Sequence, residues 1–290
     1  MNTAEHIALL QRPPTISGTQ LMGLKRGLRE HAGIQIETPR SVIAHYLQVR
    51  MAVLGIVHLK EYLALLQGGL AARAEWMALS DLLTVKETRF FRQAAAMECV
   101  EGYVQDMLQR APNFEDFSFW SPGCSTGQEV YSIGMVLEHL LRDQQPGFEW
   151  YGLGTDISFQ AVEQAKLACY SESEVRSLPQ KFKTPYMAEA ENGQWQVSEN
   201  IRSRTDFFQN NLLHVDSPVF SDFNIISCQN VLIYFEREKQ HWIIDQLVDR
   251  LSVDGLLVLG AGEDAQWKNK NMRRVKCPGV CAYIKIGGNI

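Results

Sequence analysis

Three segments of this chain carry residue types and spacings that could hold a ligand. In Phe117-Ser-Phe-Trp-Ser-Pro-Gly-Cys-Ser-Thr-Gly-Gln-Glu129 an apolar run enters a turn with Gly123 and Gly127, and a helical pattern follows. Ligands of doubly wound sheets sit beyond the carboxyl ends of the strands, where a glycine turn lets backbone come close to them. No Gly-Lys-Ser/Thr follows, so this is not a Walker phosphate loop. A tight strand-to-helix turn with no ligand would read the same way. The second segment, Gly152-Leu-Gly-Thr-Asp156, ends in an acid where two carboxylate oxygens can hold a ribose hydroxyl pair. Asp156 could equally cap a helix beginning near Ser158. Glycine turn and acid together favour a nucleoside, with NAD still open on this pair alone. The third segment, Asp222-Phe-Asn-Ile-Ile-Ser-Cys-Gln-Asn-Val-Leu-Ile-Tyr-Phe235, sets Gln229 and Asn230 at a strand exit and Tyr234 one turn beyond.

At this exit DNA adenine methyltransferases place Asp/Asn-Pro-Pro-Tyr. No proline follows Asn230 here, so an exocyclic amine is a poor substrate. A buried Asn and a packed Tyr are the structural alternative. Upstream, Leu82-Leu-Thr-Val-Lys-Glu-Thr-Arg-Phe-Phe-Arg92 puts an Arg beside aromatic anchors, and its planar donor fork suits a carboxylate. The same stretch can be read as a helix start with Thr84 and Glu87 as a capping box and the Phe pair as core.

The elements that must position these residues fall into two styles. Residues 19–75 read as helices: Leu21, Leu24 and Leu28 recur at helical spacing, as do Val42, Tyr46 and Val49, and Leu54, Val57, Leu59, Leu63 and Leu66 continue less regularly. Gly33-Ile, Thr38-Pro and Gly68-Gly69 punctuate them. The domain reading is a helical unit over 1–80 and a second domain over 81–290. In the latter, the apolar runs Phe117–Trp120, Trp150–Gly154, Phe223–Cys228 and Leu256–Gly260 alternate with helical stretches. One such stretch aligns Val130, Ile133, Leu137, Leu140 and Leu141, another Ile243, Ile244, Leu247, Val248 and Leu251. That alternation predicts βαβ units and an α/β, doubly wound, mainly parallel sheet. Between about 170 and 208 the rhythm breaks at Pro179, Pro185 and the polar stretch 188–193, marking an insertion with Trp195-Gln-Val as a strand.

Composition narrows the class. The 290 residues are 46% hydrophobic, enough for a sizeable core. No run of about 18 apolar residues is present, and the first residues lack a secretory pattern. Six scattered cysteines read as thiols in a reducing compartment, and the lone Cys277-Pro-Gly-Val-Cys281 pair is a poor zinc site; cytoplasmic location and no metal are expected. Net charge is −5, yet residues 1–80 carry +3 and the remainder −8, so the front end is suited to an acidic partner, unless it is only a solvated helix face. The overall acidity argues against nucleic acid.

Taken together, Thr88-Arg-Phe-Phe-Arg92, Ser121-Pro-Gly-Cys-Ser-Thr-Gly-Gln-Glu-Val-Tyr-Ser132, Thr155-Asp-Ile157, Asn211-Leu-Leu213, Cys228-Gln-Asn-Val-Leu-Ile-Tyr-Phe235 and Asp254-Gly-Leu-Leu257 resemble the CheR-type chemoreceptor glutamate methyltransferases, in family order. The resemblance implies a class I S-adenosylmethionine-dependent methyltransferase fold with a small β insertion and an N-terminal helical domain that contacts the receptor. It implies S-adenosylmethionine contacts from Thr88, Arg92, Glu129, Asp156, Asn211, Leu212, Gln229 and Asn230, beside the glycine turn of Gly123 and Gly127. Arg92 and Tyr234 would flank the reacting carboxylate. The implied partner is the cytoplasmic helical bundle of a membrane chemoreceptor, approached by a monomer without membrane insertion.

The sequence departs from the family pattern at several places: Lys86 where an Asn is frequent, Gln128 for the first of two acids, Gln229 for an Arg, and a short 188–194 loop. A class I methyltransferase with another substrate, or a catalytically weak cofactor-binding scaffold, are the competing functions. A glutamate ionises near about pH 4.3, so its carboxylate is already a nucleophile at neutral pH and no general base is required.

Overall fold

The computed structural model describes residues 12–84, 87–110, 116–141, 148–214 and 221–287; Lys86 lies outside them. By packing, the chain divides into two units, Met1–Val85 with Tyr234–Glu236, and Lys86–Ile233 with Arg237–Ile290.

The first unit is helical. Helix α1 (Gly18–Ala32) opens on a capping box between Ser17 and Gln20 and ends where Gly33 turns left-handed, φ 76°. Helix α2 (Arg40–Leu54) follows Pro39 and ends at the left-handed Gly55. A loop separates it from α3 (Leu59–Leu65), and α4 (Gly69–Leu83) completes the unit. The buried stripe of α2 is Ile43, Leu47 and Met51, one or two positions on from the expected Val42, Tyr46 and Val49. Val42 and Val49 are exposed, because two overlapping apolar stripes run along this helix and only one faces its neighbours. Buried Glu75 is neutralised by a bidentate Arg50 (2.8 and 2.7 Å) and by the Tyr62 hydroxyl (2.6 Å). Thr84 caps the C-terminal end of α4, its N–H donating to Ser80, so the expected capping box at a helix start is not formed there.

The second unit begins with α5 (Ala94–Arg110) and is built on a sheet. Strand β1 (Asp116–Pro122), helix α6 (Gln128–Leu141), β2 (Glu149–Asp156) and α7 (Phe159–Leu167) form the first βαβα run. The insertion folds as a small antiparallel sheet of β3 (Cys169–Ser171), β4 (Met187–Glu189) and β5 (Gln194–Val197), with α8 (Gln180–Tyr186) beside it. The main sheet resumes at β6 (Thr205–Gln209) and continues through β7 (Phe223–Cys228), α9 (Arg237–Asp249), β8 (Leu251–Leu259), β9 (Met272–Val275) and β10 (Cys281–Lys285). Its order is β6-β2-β1-β7-β8-β10-β9; β6 to β8 are parallel, and β10 runs antiparallel to both neighbours.

The central strands are apolar runs because helices α5, α6, α7 and α9 pack on the sheet. All five residues aligned along the first predicted helix are buried in α6. The insertion ends before 208, since β6 belongs to the main sheet. As an edge strand β6 buries only Thr205 and Phe207 and carries no continuous apolar run to mark it.

The expectation that all six cysteines are thiols fails at one pair. Cys99 in α5 and Cys277, in the turn before β10, form a disulfide with Cα atoms 5.9 Å apart. They are separated by 178 residues and meet only in the folded chain, so spacing gave no sign of it. Among the described residues no single helix is long and apolar enough to cross a membrane.

Candidate active site

Strand order reverses between β1 and β7, and the exits of these two strands frame a crevice of the kind that binds ligands in open α/β sheets. At the β1 exit the chain turns over the end of β2. The N–H groups of Gly123 and Cys124 both donate to the Thr155 carbonyl (2.6 and 3.0 Å). Gly123 lies at φ 77°, and a Cβ there would come within 2.3 Å of Val231 Cγ2 beyond β7. Gly127 lies at φ 94° with Ala165 Cβ 2.9 Å from its own would-be Cβ. Both glycines are therefore required by backbone sign and by packing of the protein itself.

Asp156 latches this turn. Its Oδ2 accepts the N–H of Ser125 (2.8 Å) and its Oδ1 that of Ser158 (2.9 Å). The cap of α7 is Ser158, whose hydroxyl accepts from Ala161, so Asp156 is not the helix cap. Beside it, the Asn210 N–H donates to the Asp156 carbonyl (2.9 Å). Asn211 and Leu212, both buried, follow directly, and Asn211 Oδ1 accepts the Leu213 N–H (2.9 Å).

The β7 exit joins the same crevice through side chains. Glu129 Oε1 accepts from the Ser121 hydroxyl (2.8 Å) and its Oε2 from Gln229 Nε2 (2.9 Å), which also donates to Ser227 (3.0 Å). Burial pushes the Glu129 carboxyl up to about 7; Ser121, Ser227 and Gln229 pull it down, and the charge of Glu263 pushes it further up. Asn230 is left-handed, φ 60°. The Gln128 side chain accepts from the Thr126 hydroxyl (2.8 Å).

The remaining predicted residues sit elsewhere in sequence and packing. Phe90 is fully buried and meets Tyr170 edge-on at 4.9 Å; Phe91 stacks on Phe182 at 4.6 Å. Thr88 is half-buried, and the exposed Arg92 donates from Nη1 to the Glu87 carbonyl (2.6 Å). Tyr234 ends the 3-10 turn Leu232–Tyr234, and its carbonyl accepts the Gln35 N–H (2.6 Å) within the helical unit. Sequence reasoning missed Ser121, Ser125 and Ser227. It also missed Glu263, which receives the N–H groups of Asn230, Leu232 and Gly260 (3.1, 2.9 and 2.7 Å). The one available signal for it was the Gly260-Ala-Gly-Glu263 turn at the exit of an apolar strand.

Residues 86–281 match the family model described as CheR methyltransferase, SAM binding domain. The chain belongs to the CheR methyltransferase family. It is an S-adenosylmethionine-dependent methyltransferase of the class I fold. The chemotaxis protein methyltransferase of Escherichia coli is 30% identical over 253 residues, 86% of this chain and 85% of that protein. That of Borreliella burgdorferi is 26% identical over 264 residues, 90% and 93% of the two chains. Chemotaxis protein methyltransferase 2 of Vibrio cholerae is 31% identical over 196 residues, 67% of each.

The crevice of this CheR-family chain suits its cofactor. Two buried oxygens there, Ser125 Oγ at the β1 exit and Gln229 Oε1 at the β7 exit, have no hydrogen-bond partner among the described residues. Buried polar atoms are ordinarily paired, so an orphan on each wall points to a polar ligand between them.

Proposed function

We propose that this methyltransferase esterifies glutamate side chains on the cytoplasmic helical bundle of a membrane chemoreceptor and so adapts a chemosensory pathway. Membership of the CheR family and the relatives named chemotaxis protein methyltransferases support the substrate. The observation that carries the cofactor half is the pair of orphaned oxygens, Ser125 Oγ after β1 and Gln229 Oε1 after β7, at the exits of the two strands between which the strand order reverses. The reading takes the chain to act in the cytoplasm as a monomer, without nucleic acid or membrane insertion.

Bound S-adenosylmethionine supplies a methyl group made electrophilic by its sulfonium. In this reading the Asp156 carboxylate, at the exit of β2, holds the ribose hydroxyls. Glu129 and Gln229 hold the methionine portion, and Asn211 and Leu212 hold the base. Gly123 and Gly127 shape the turn, while Thr88, Arg92 and Asn230 complete the contacts. The substrate glutamate is ionised at neutral pH, so no residue need remove a proton. The work left to the protein is alignment and partial removal of water from the carboxylate. Arg92 spends one of its five donors on the Glu87 carbonyl, and the others can orient the carboxylate. The Tyr234 hydroxyl provides a second donor.

The test is incubation with labelled cofactor and candidate receptors, followed by assay for base-labile methyl ester. Wild type is expected to form ester; Arg92→Ala and Tyr234→Phe are expected to lose at least about tenfold in rate, equivalent to about 1.4 kcal/mol, with Tyr234→Phe still binding cofactor and Arg92→Ala binding it more weakly. Undiminished transfer by both variants would remove these two residues from the chemistry. Cofactor binding with no ester on any receptor would favour a scaffold.

A further inference from the structure

Glu263 lies in the turn after β8, is only 4% exposed, and stands outside every contact assigned above to cofactor or substrate. Its two oxygens gather backbone N–H groups from two separate strand exits: Oε2 accepts from Asn230 and Gly260, Oε1 from Leu232, and the Ile233 N–H also bonds to the carboxylate. Gly260 is shaped to admit it, because a Cβ at that position would come within 2.4 Å of Glu263 Oε2 and 3.1 Å of the Asn230 nitrogen. Asn230 is left-handed, a conformation that non-glycine residues hold only when their surroundings fix it. The dipeptide Gln229-Asn230 is thus gripped by two acids, at the Gln229 side chain by Glu129 and at the Asn230 backbone by Glu263.

We propose that Glu263 is a positioning residue: by accepting the N–H groups of Asn230, Leu232 and Gly260, it holds the β7 exit so that Gln229 and Asn230 meet the cofactor. Its charge acts on the same site. The groups facing Glu129 are the hydroxyls of Ser121 and Ser227, the Gln229 amide and the Glu263 carboxylate; the thiols of Cys124 and Cys228, which burial pushes up, feel the charge of Glu129, and Cys228 that of Glu263 as well. The Glu263 charge raises the Glu129 carboxyl. S-adenosylmethionine carries a sulfonium and an ammonium, and a cation near Glu129 favours its ionised form. Cofactor affinity therefore increases as pH rises through the Glu129 midpoint, and removing the negative charge of Glu263 shifts that midpoint to lower pH.

The inference rests on the proposed assignment of Glu129, Gln229 and Asn230 to the cofactor. Calorimetric titration of the full chain with S-adenosylmethionine, at several pH values between about 6 and 8, tests both. Failure of wild type to bind would sink that assignment itself. If wild type binds, Glu263→Gln, which keeps the shape but turns an amide toward N–H donors, is expected to weaken binding by about tenfold or more and to lower the midpoint. Glu263→Asp keeps the charge on a shorter stem and should lose affinity with the midpoint nearly unmoved. A residue that only stabilised the fold would lower the melting temperature without moving the midpoint. Should Glu263→Gln not fold, Gly260→Ala presses on Oε2 while the charge stays, and weaker binding at an unchanged midpoint is expected. Wild-type affinity and midpoint in a folded Glu263→Gln, or wild-type affinity in Gly260→Ala, would overturn the proposal.

Discussion

At the residue scale, Asp156 shows why one acid can serve fold and function together. Its carboxylate bridges the turn after β1 and the turn after β2 through Ser125 and Ser158, at the strand exit where a ribose would sit. Asp156→Ala leaves two backbone donors without their partner, each costing about 1–3 kcal/mol where water cannot reach. Asp156→Asn keeps one acceptor oxygen and sets an NH2 against an N–H. Both variants are expected to weaken S-adenosylmethionine binding by about tenfold or more, with Asp156→Ala also lowering the melting temperature the more of the two. Calorimetry and thermal melts measure the two effects separately; an unchanged melting temperature in Asp156→Ala would show that the latch contributes nothing. Asp156 was legible in the sequence because it closes an apolar run. Glu263 was not, because its partners after β7 lie 31 and 33 residues away and become neighbours only once β7 and β8 pair in parallel.

At the element scale, the β1–α6 turn is set by two constraints that coincide at Gly123, a left-handed backbone and the side chain of Val231. Gly123→Ala is expected to lower the melting temperature and to reduce cofactor affinity, since the turn must shift away from β7. Adding Val231→Ala removes the 2.3 Å clash but not the backbone strain, so the double variant should recover part of the lost stability and not all of it. Thermal melts of the two single variants and the double variant check this, and strict additivity would deny the contact. The strands around this turn were readable, because buried central strands are continuous apolar runs bounded by turn residues. Edges and ends were less readable. Strand β6 alternates too weakly to stand out from the insertion, Thr84 closes a helix where its composition suggested an opening, and α2 offers two stripes of which packing selects one. The Cys99–Cys277 link has no local signature, since each cysteine sits in an ordinary surrounding until α5 and the β9–β10 hairpin come together.

At the scale of the whole molecule, charge is divided along the chain. Residues 1–80 carry +3 and the rest −8. Part of the positive charge is internal, since Arg50 is spent on buried Glu75. In α1, Lys25, Arg26 and Arg29 recur at spacings of one, three and four residues, and Arg26 and Arg29 remain largely exposed despite ion pairs with Glu30 and Glu236. Ion pairs at the surface are worth little, so they do not cancel this face for an approaching partner. If the proposed receptor bundle presents acidic helices to it, encounter is assisted by long-range attraction that a Debye length of about 10 Å at ~0.1 M salt screens. The KM for receptor should therefore rise as salt is increased, whereas binding of the cofactor, held in a partly buried crevice, should change far less. Arg26→Glu with Lys25→Glu should raise the KM for receptor at low salt and flatten its salt dependence, with kcat nearly unchanged because neither residue is among those assigned to cofactor or reacting carboxylate. Steady-state methylation at two ionic strengths separates the cases. A KM for receptor that is indifferent to salt, in wild type and variant alike, would mean that the basic face has no part in docking and that its charge serves only solvation.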